Sequence, residues 1–128
     1  MKTLNNYVQQ AQTEALEKYG AFFAFSNQQF NEQRKDDVIY RQMGAGLICP
    51  SQHCQALFDD LAAINERGIA QDIAENGAEA IIKRELYNHE CFYTGDPSDA
   101  IDALQDYGFT NEQIMKVYLA EAPNAEQW

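Results

Sequence analysis

Apolar side chains recur every three or four residues over residues 3–19, which predicts an amphipathic helix. The same spacing predicts a helix that starts at Ser51 and ends near residue 67, just before a glycine at position 68. A further helix is predicted over residues 69–75, and after the Asn-Gly break another follows over residues 78–88. Helices therefore dominate the chain after residue 50.

Two helix starts in the C-terminal part are marked by capping residues. Asp96 followed by Pro97 predicts a helix that continues to about residue 107. Residues 110–113, Thr-Asn-Glu-Gln, match a capping box that opens the last helix, because the Thr hydroxyl and the Gln amide can cover free backbone donors. A similar box at residues 26–29 predicts a short helix to about residue 35.

Three short apolar runs are typical of strands, at residues 21–25, 38–42 and 46–49. The first is bounded by Gly20 and Ser26, and we predict that it is a buried strand. The turn Gly44-Ala45-Gly46 joins the last two as a hairpin. It lacks the third glycine and the following Lys-Ser/Thr of a phosphate-binding loop, so a turn is the preferred interpretation. The predicted fold class is α+β, with a small antiparallel sheet of about three strands packed by four to five helices.

Length and cysteine content favour one compact domain in a reducing compartment. A chain of 128 residues is near the modal domain size, so we predict a single domain over residues 1–122 and a tail over residues 123–128. Three cysteines cannot all pair, and neither an apolar leader nor a 20-residue apolar run is present. These features predict a cytoplasmic protein with reduced thiols and no membrane contact.

The negative charge lies entirely in the second half of the chain. Residues 1–55 carry five acids and five bases, whereas residues 56–128 carry fifteen acids and four bases, so the second half holds the whole formal charge of −11. Direct binding to nucleic acid or to an anionic membrane is not expected, since phosphates attract clustered Lys and Arg. A partner with a basic surface is compatible with this distribution.

Two acidic stripes are the candidate contacts for such a partner. On a helix with about 3.6 residues per turn, three aspartates of the second stripe fall within about 60° of one another. One interpretation is a surface that occupies a basic nucleic-acid-binding groove as a decoy; the other is solubility, since solvated helix faces are normally charged. The candidate partner-binding residues are Asp59, Asp60, Glu66, Asp99, Asp102 and Asp106.

An alternative site lies at the end of the helix over residues 78–88. His89 with Glu85 or Glu90 could act as a general acid–base pair, and Cys91 is a nearby thiol. The architectural alternative is that Asn88 ends the helix in the left-handed conformation while His89 binds the last carbonyls. The chain has no Cys-x-x-Cys pair, and no metal ligand or cofactor is predicted.

The order of several segments resembles a family of small uncharacterised proteins found in bacteria, their phages and mobile elements. The match spans roughly residues 20–108 and is carried by the following segments: residues 22–32 (FFAFSNQQFNE), 44–46 (GAG), 85–90 (ELYNHE), 93–96 (YTGD) and 102–104 (DAL). The resemblance implies an accessory gene product in a bacterial host cytoplasm. It implies no activity, cofactor or catalytic residue.

These observations favour a non-catalytic accessory protein that binds a host protein with a basic surface, nucleic-acid-binding proteins being one class of candidate partner. The alternative is an enzyme or metal-binding protein centred on residues 85–91. A third hypothesis is a homo-oligomer with an aromatic interface. The sequence leaves the oligomeric state and the identity of a partner open.

Overall fold

In the computed structural model, which describes residues 1–124, helix α1 spans Leu4–Tyr19 as the apolar spacing predicts. Val8 and Ala15 are buried on its inner face. Gly20 follows with φ +71°, a left-handed conformation that glycine adopts without steric cost. The first helix therefore ends at the residue that the sequence indicated.

The three strands form an antiparallel sheet, which confirms the α+β prediction. Strand β1 spans Phe22–Phe23, β2 spans Tyr40–Gly44 and β3 spans Leu47–Pro50, and β3 lies in the centre. Phe22 pairs with Ile48 on one side of β3, and Arg41 pairs with Cys49 on the other. About five substantial helices accompany the sheet.

The hairpin between β2 and β3 turns through two residues with positive φ, Ala45 at +53° and Gly46 at +81°. This is the type I′ arrangement that matches the twist of paired strands. A side chain at Gly46 would be strained at this φ, and its Cβ would overlap the Phe25 ring unless that ring moved.

The strand predicted over residues 21–25 is shorter and more exposed than expected. Only two residues pair with β3, and Phe23 and Phe25 are 48% and 73% exposed, so the prediction of a buried strand is wrong for these side chains. Their rings stack on each other instead, with centroids 6.3 Å apart. The chain leaves the sheet early because the capping box begins at Ser26.

That capping box forms as predicted and opens helix α2, Asn27–Gln33. The backbone N–H of Gln29 donates to Ser26 Oγ at 3.2 Å, and the N–H of Phe25 donates to Gln29 Oε1 at 2.7 Å. The helix ends two residues before the predicted boundary.

Helix α3 spans Cys54–Asn76 after a 3-10 turn at Ser51–His53. The predicted break at Gly68 is wrong, because the helix continues through it. An added Cβ at Gly68 would lie 2.3 Å from Val8 Cγ1. The glycine therefore allows α1 to approach α3 closely, and it does not end the helix.

Residues 4–68 form one compact unit with its own core. Helix α1, strand β3 and the first part of α3 contribute buried side chains to this core. They are Val8, Ala15, Cys49, Leu57 and Ile64.

Residues 1–3 and the described residues 69–124 form a second compact unit, built from the end of α3 and four further helices. These are α4 (Ala78–Asn88), α5 (Cys91–Thr94), α6 (Ser98–Ala103) and α7 (Asn111–Glu121), with 3-10 turns at Gln105–Tyr107 and Ala122–Asn124. Its fully buried apolar side chains include Ile81, Ile82, Leu86, Leu104 and Ile114.

The last helix starts after the predicted cap at Thr110, whereas α6 starts at Ser98, with Pro97 and not Asp96 at its N-cap position. Thr110 Oγ1 accepts from the N–H of Gln113 at 3.0 Å, and Asp96 Oδ1 accepts from the N–H of Ser98 at 3.0 Å. The single domain predicted over residues 1–122 stays a prediction. Of the predicted tail over residues 123–128, residues 125–128 lie outside the described residues.

We expect Gly68→Ala to destabilise the protein by about 1–2 kcal/mol, because overpacking against Val8 outweighs the gain of about 1 kcal/mol in helix propensity. Urea unfolding measures the change. In a Val8→Ala background the same substitution should cost little, since the space it needs is then open. A Gly68→Ala variant that is more stable than the wild type would contradict the close approach.

Candidate functional site

The three aspartates of the second predicted stripe are all exposed, but they do not share one helix. Asp99 and Asp102 lie on α6, whereas Asp106 lies on the following 3-10 turn, Gln105–Tyr107. The predicted α-helix through residue 107 is therefore wrong after Ala103, and the angular spacing of an ideal helix does not apply to Asp106. The tighter turn buries Tyr107, whose hydroxyl donates to Asp72.

These carboxylates lie in a stretch without a single Lys or Arg. Residues 85–115 contain seven acids and no base. The two bases just before this stretch already have carboxylate partners: Lys83 contacts Glu79 and Glu121, and Arg84 contacts Asp72 and Glu85. Among residues 1–124, no Lys or Arg forms an ion pair with Asp99, Asp102 or Asp106.

The first predicted stripe, on α3, is only partly available. Asp59 and Glu66 are exposed. Asp60 is half-buried: it accepts a hydrogen bond from the Tyr19 hydroxyl at 2.7 Å, and its carboxylate lies 3.8 Å from Lys18 Nζ. Asp60 thus has contacts within its own unit that Asp59 and Glu66 lack, and its role as a partner contact stays a prediction.

The segment after α4 turns sharply at Glu90, which has φ +54° and ψ +33°. The prediction that Asn88 takes the left-handed conformation is wrong, since Asn88 is the last residue of α4. The His89 ring does not cap carbonyls; its Nε2 lies 3.6 Å from Glu85 Oε2. Glu90 is then the N-cap of α5, and its carbonyl accepts from the N–H of Thr94 at 3.1 Å.

The alternative catalytic residues do not converge as a nucleophile site. Glu85 and His89 meet, but the Cys91 side chain is fully buried. Burial raises the pKa of the Cys91 thiol, which keeps it protonated and unreactive. Within residues 1–124, no three side chains of His, Cys, Asp or Glu come together in a way that could hold a metal ion.

Glu90 instead lines an open cleft together with Tyr87, Phe92 and Tyr93, which we call the aromatic cleft. Its volume is about 300 Å³. Tyr87 and Tyr93 are 47% and 64% exposed. Sequence analysis placed Glu90 in an acid–base site and did not identify the rings beside it.

The rings of this cleft are held by packing from behind. Phe92 lies between Tyr87 and Tyr118, with centroid distances of 4.9 and 5.2 Å, and it is nearly parallel to Tyr118. The Tyr87 hydroxyl donates to Glu121 Oε1 at 3.0 Å, and Lys83 pairs with the other Glu121 oxygen at 3.3 Å. These contacts therefore fix the positions of Tyr87 and Phe92.

A buried ionic network in the same unit was missed by the sequence analysis. Asp72 on α3 is completely buried and accepts two hydrogen bonds from Arg84, at 3.0 and 2.9 Å. Asn76 donates to it at 2.7 Å and Tyr107 donates through its hydroxyl. Arg84 also donates to the Lys2 carbonyl at 3.0 Å. One available signal was the position of Asp72 between Ile69 and Ile73, on the apolar side of its helix.

The network fixes the protonation of its members. Burial by itself would raise the pKa of Asp72, but hydrogen bonds from Arg84, Tyr107 and Asn76 outweigh burial and hold the pKa below its ordinary value. Burial raises the pKa of Tyr107, and the hydrogen bond to Asp72 raises it further. Asp72 is therefore ionised at neutral pH, with Tyr107 as a protonated donor and Arg84 as the cation.

The model of DUF7659, a family of unknown function, matches residues 4–121. Searches of curated proteins and of solved structures found no significant match. None of the helices in the described part of the chain combines the length and apolar character that a membrane crossing requires.

We expect Asp72→Asn to lower the free energy of unfolding by about 3–5 kcal/mol, because it leaves Arg84 as a buried charge without its partner. Asp106→Asn, on the exposed turn nearby, should change it by less than about 0.5 kcal/mol. Denaturant unfolding at pH 7 compares the two variants with the wild type.

The same variant has a predicted pH dependence. Because the pKa of Asp72 is lower in the folded than in the unfolded protein, its ionisation stabilises the fold above the unfolded pKa of about 3.9. This contribution is lost as the pH falls through the folded-state pKa. The stability gap between wild type and Asp72→Asn should therefore stay constant from pH 7 to about pH 5 and narrow as the pH falls further, to about pH 2. A gap that stays constant down to about pH 2 would contradict the assignment.

The left-handed backbone at Glu90 gives a second prediction. Glu90→Gly should be about 1 kcal/mol more stable than Glu90→Ala, because a Cβ is disfavoured in this conformation. Gln71, exposed within α3, is the matched control: there Ala should be more stable than Gly by about 1 kcal/mol. Thermal or urea unfolding of the four variants measures both differences, and the same order at both positions would refute the strain at Glu90.

Proposed function

This chain belongs to DUF7659, a family of unknown function, and we propose that it is a non-catalytic accessory protein that binds a basic protein partner through exposed carboxylates. The observation that carries the proposal is the run of seven acids without a base over residues 85–115, in which Asp99, Asp102 and Asp106 are exposed and without a Lys or Arg partner in the described chain. Asp59 and Glu66 on α3 are further candidate contacts.

Uncompensated carboxylates close together repel one another, which lowers the stability of the folded state. Solubility requires net charge, but it does not require that bases be absent from 31 consecutive residues. A basic surface on a partner reduces the repulsion between these carboxylates and increases the rate of association. It also favours basic over acidic partners. The charge distribution is thus better explained by recognition than by solubility alone.

Nucleic-acid-binding proteins are one class of basic partner, and a decoy role is the narrower form of the proposal. Asp99 and Asp102 are about 4.5 Å apart along the helix axis, from a rise of about 1.5 Å per residue. Phosphates along one strand of a duplex repeat every ~3.4 Å. Along their respective axes, the two residues are therefore spaced more widely than successive phosphates, which favours general charge complementarity over close mimicry of a duplex.

The catalytic alternative has less support. Glu85 and His89 form the only contact among its four residues that the described structure provides, and Cys91 is buried as a thiol. Glu90 faces the aromatic cleft. The setting in a bacterial host cytoplasm, with a phage or mobile element as source, is part of the proposal and rests on the resemblance described above.

The test replaces the three aspartates together, as D99N/D102N/D106N, and captures partners from a bacterial lysate. Three exposed charge pairs at about 0.5–1 kcal/mol each correspond to a loss of tenfold or more in affinity. The matched control, E32Q/D36N/D37N, removes the same charge from exposed positions in the neutral half and should retain the partner.

Capture is quantified by mass spectrometry at low salt and at about 0.5 M salt. The Debye length is about 10 Å at 0.1 M salt and shorter at 0.5 M, so the higher concentration weakens binding that depends on surface charge. We expect the partner to be enriched with the wild type at low salt, and reduced both by salt and by the aspartate substitutions. Equal capture by both triple variants, or no partner at either salt concentration, would refute the proposal.

A further inference from the structure

The three-stranded sheet has two faces, and only one of them packs against α1 and α3. Leu47 and Cys49 of β3 belong to the core that these two helices share. Phe22, Ile48 and Gln42 are successive partners across the three strands, so their side chains form one row on the same face. Ile48 lies between Leu47 and Cys49, and side chains alternate along a strand, so this row faces away from that core.

Helix α2 covers only part of this second face. Its Phe30 ring packs against the rings of Phe22 and Tyr40, with centroid distances of 6.2 and 5.7 Å. A helix of seven residues is only about 10 Å long, and a cavity of about 370 Å³ remains between its first residues and the sheet. We call this cavity the sheet pocket, which is bounded by side chains that include Phe25, Asn27, Phe30, Gln42 and Ile48.

We infer that the sheet pocket binds a nucleobase, a small neutral ring with hydrogen-bonding atoms on its edge. The Phe25 ring stacks on the base, and the side-chain amides of Asn27 and Gln42 bind the edge of the base. None of the proposed acidic contacts lines this pocket, so the site goes beyond the proposed function and does not depend on it.

The lining of the pocket is neutral, which selects a neutral ligand. Among the described residues that line it, none is Asp, Glu, Lys, Arg or His. Arg34 lies over the Phe30 ring at 5.9 Å but does not line the pocket. A charged group that entered would lose hydration without gaining a counter-charge from the lining. A base is therefore favoured over an anionic or cationic metabolite.

Two side-chain amides in this lining are not used by the fold. Ser26 and Gln29 make the capping hydrogen bonds of α2, so Asn27 is not needed for the cap. Gln42 lies in the same row as Ile48, where an apolar residue would bury more apolar surface. In the described residues 1–124, neither the Asn27 nor the Gln42 amide has a hydrogen-bond partner. Each amide offers a donor and an acceptor side by side, the pair that binds N6 and N7 of adenine.

The Phe25 ring is held in place before a ligand binds. It stacks on Phe23, with centroids 6.3 Å apart, and the backbone N–H of Phe25 donates to Gln29 Oε1. Gly46 lies against the ring, where an added Cβ would overlap it. Phe25 is nevertheless 73% exposed, so a base can cover much of its surface. A fixed ring loses little conformational entropy when a base stacks on it.

The size of the pocket and the chemistry of its amides indicate which probes to use. A volume of about 370 Å³ is near the lower end of ligand cavities, so a molecule of one or two rings fits better than a dinucleotide. Adenine carries the amino donor and the N7 acceptor, whereas purine has the same rings without the amino group. The difference in affinity between them measures hydrogen bonding separately from stacking.

The experiment titrates the isotope-labelled protein with adenine, purine and AMP, followed by two-dimensional nitrogen–proton NMR. We expect the side-chain amide signals of Asn27 and Gln42 to shift with adenine, in the millimolar range for so small a ligand. Adenine should bind about threefold or more tightly than purine, because purine lacks one hydrogen-bond donor. AMP should bind no more tightly than adenine, since the lining offers no cation to its phosphate.

Two variants separate hydrogen bonding from stacking. Gln42→Leu should weaken adenine binding about fivefold and leave purine binding within about twofold. Phe25→Leu should weaken the binding of both bases about fivefold. Gln28→Leu, at an exposed position of α2 outside the pocket, should change either affinity by less than about twofold.

The dispersion of the backbone signals establishes that each variant is folded. Unshifted Asn27 and Gln42 amide signals at millimolar adenine would overturn the inference, as would equal weakening by Gln42→Leu and Gln28→Leu. Equal affinity for adenine and purine would overturn recognition by the amides, and about tenfold tighter binding of AMP would overturn the assignment of a neutral ligand. Shifts with glucose but not with adenine would overturn the assignment of a planar base.

Discussion

The buried carboxylate of Asp72 is the constraint on which the C-terminal unit depends. A charge inside a protein is costly unless a counter-charge and hydrogen bonds surround it, so Arg84 and Tyr107 must reach Asp72 for the unit to form. Tyr107 reaches it from a 3-10 turn, which accounts for the end of α6 at Ala103. One interior interaction thereby positions α4 and the acidic turn at Asp106.

This interaction also shapes the electrostatics of the surface. Arg84 is almost fully withdrawn from solvent, and its Nε contacts Glu85. Lys83, the neighbouring base, joins Glu79 to Glu121, which in turn anchors the Tyr87 hydroxyl. Two of the four bases in the acidic half are thus committed to holding the helices together. Lys83 and Arg84, which directly precede residues 85–115, are therefore paired within the unit and do not neutralise Asp99, Asp102 or Asp106.

Local signals in the sequence were sufficient for local structure. The caps at Ser26 and Thr110 involve residues three positions apart, and both formed as predicted. The failures concern side chains whose partners are distant in the chain. Gly68 did not break its helix because α1 packs on it, and Asp106 lies outside α6 because the following tyrosine contacts α3. Asp60 contacts Tyr19 and Lys18 of α1, which its position on α3 does not indicate. Exposure and pairing of a carboxylate depend on tertiary contacts that periodicity does not report.

Lys and Arg side chains lie over aromatic rings in the N-terminal half of the chain, in contrast to the rings of the aromatic cleft. In the half of the chain that contains balanced charge, the Arg34 guanidinium lies 5.9 Å from the Phe30 ring centroid, and Lys18 Nζ lies 5.1 Å from that of Tyr19. Those rings have a cation from their own segment. Tyr87 and Phe92 lie beside Glu90 in a stretch of the sequence that contains no Lys or Arg, and among residues 1–124 no Lys or Arg lies over either ring.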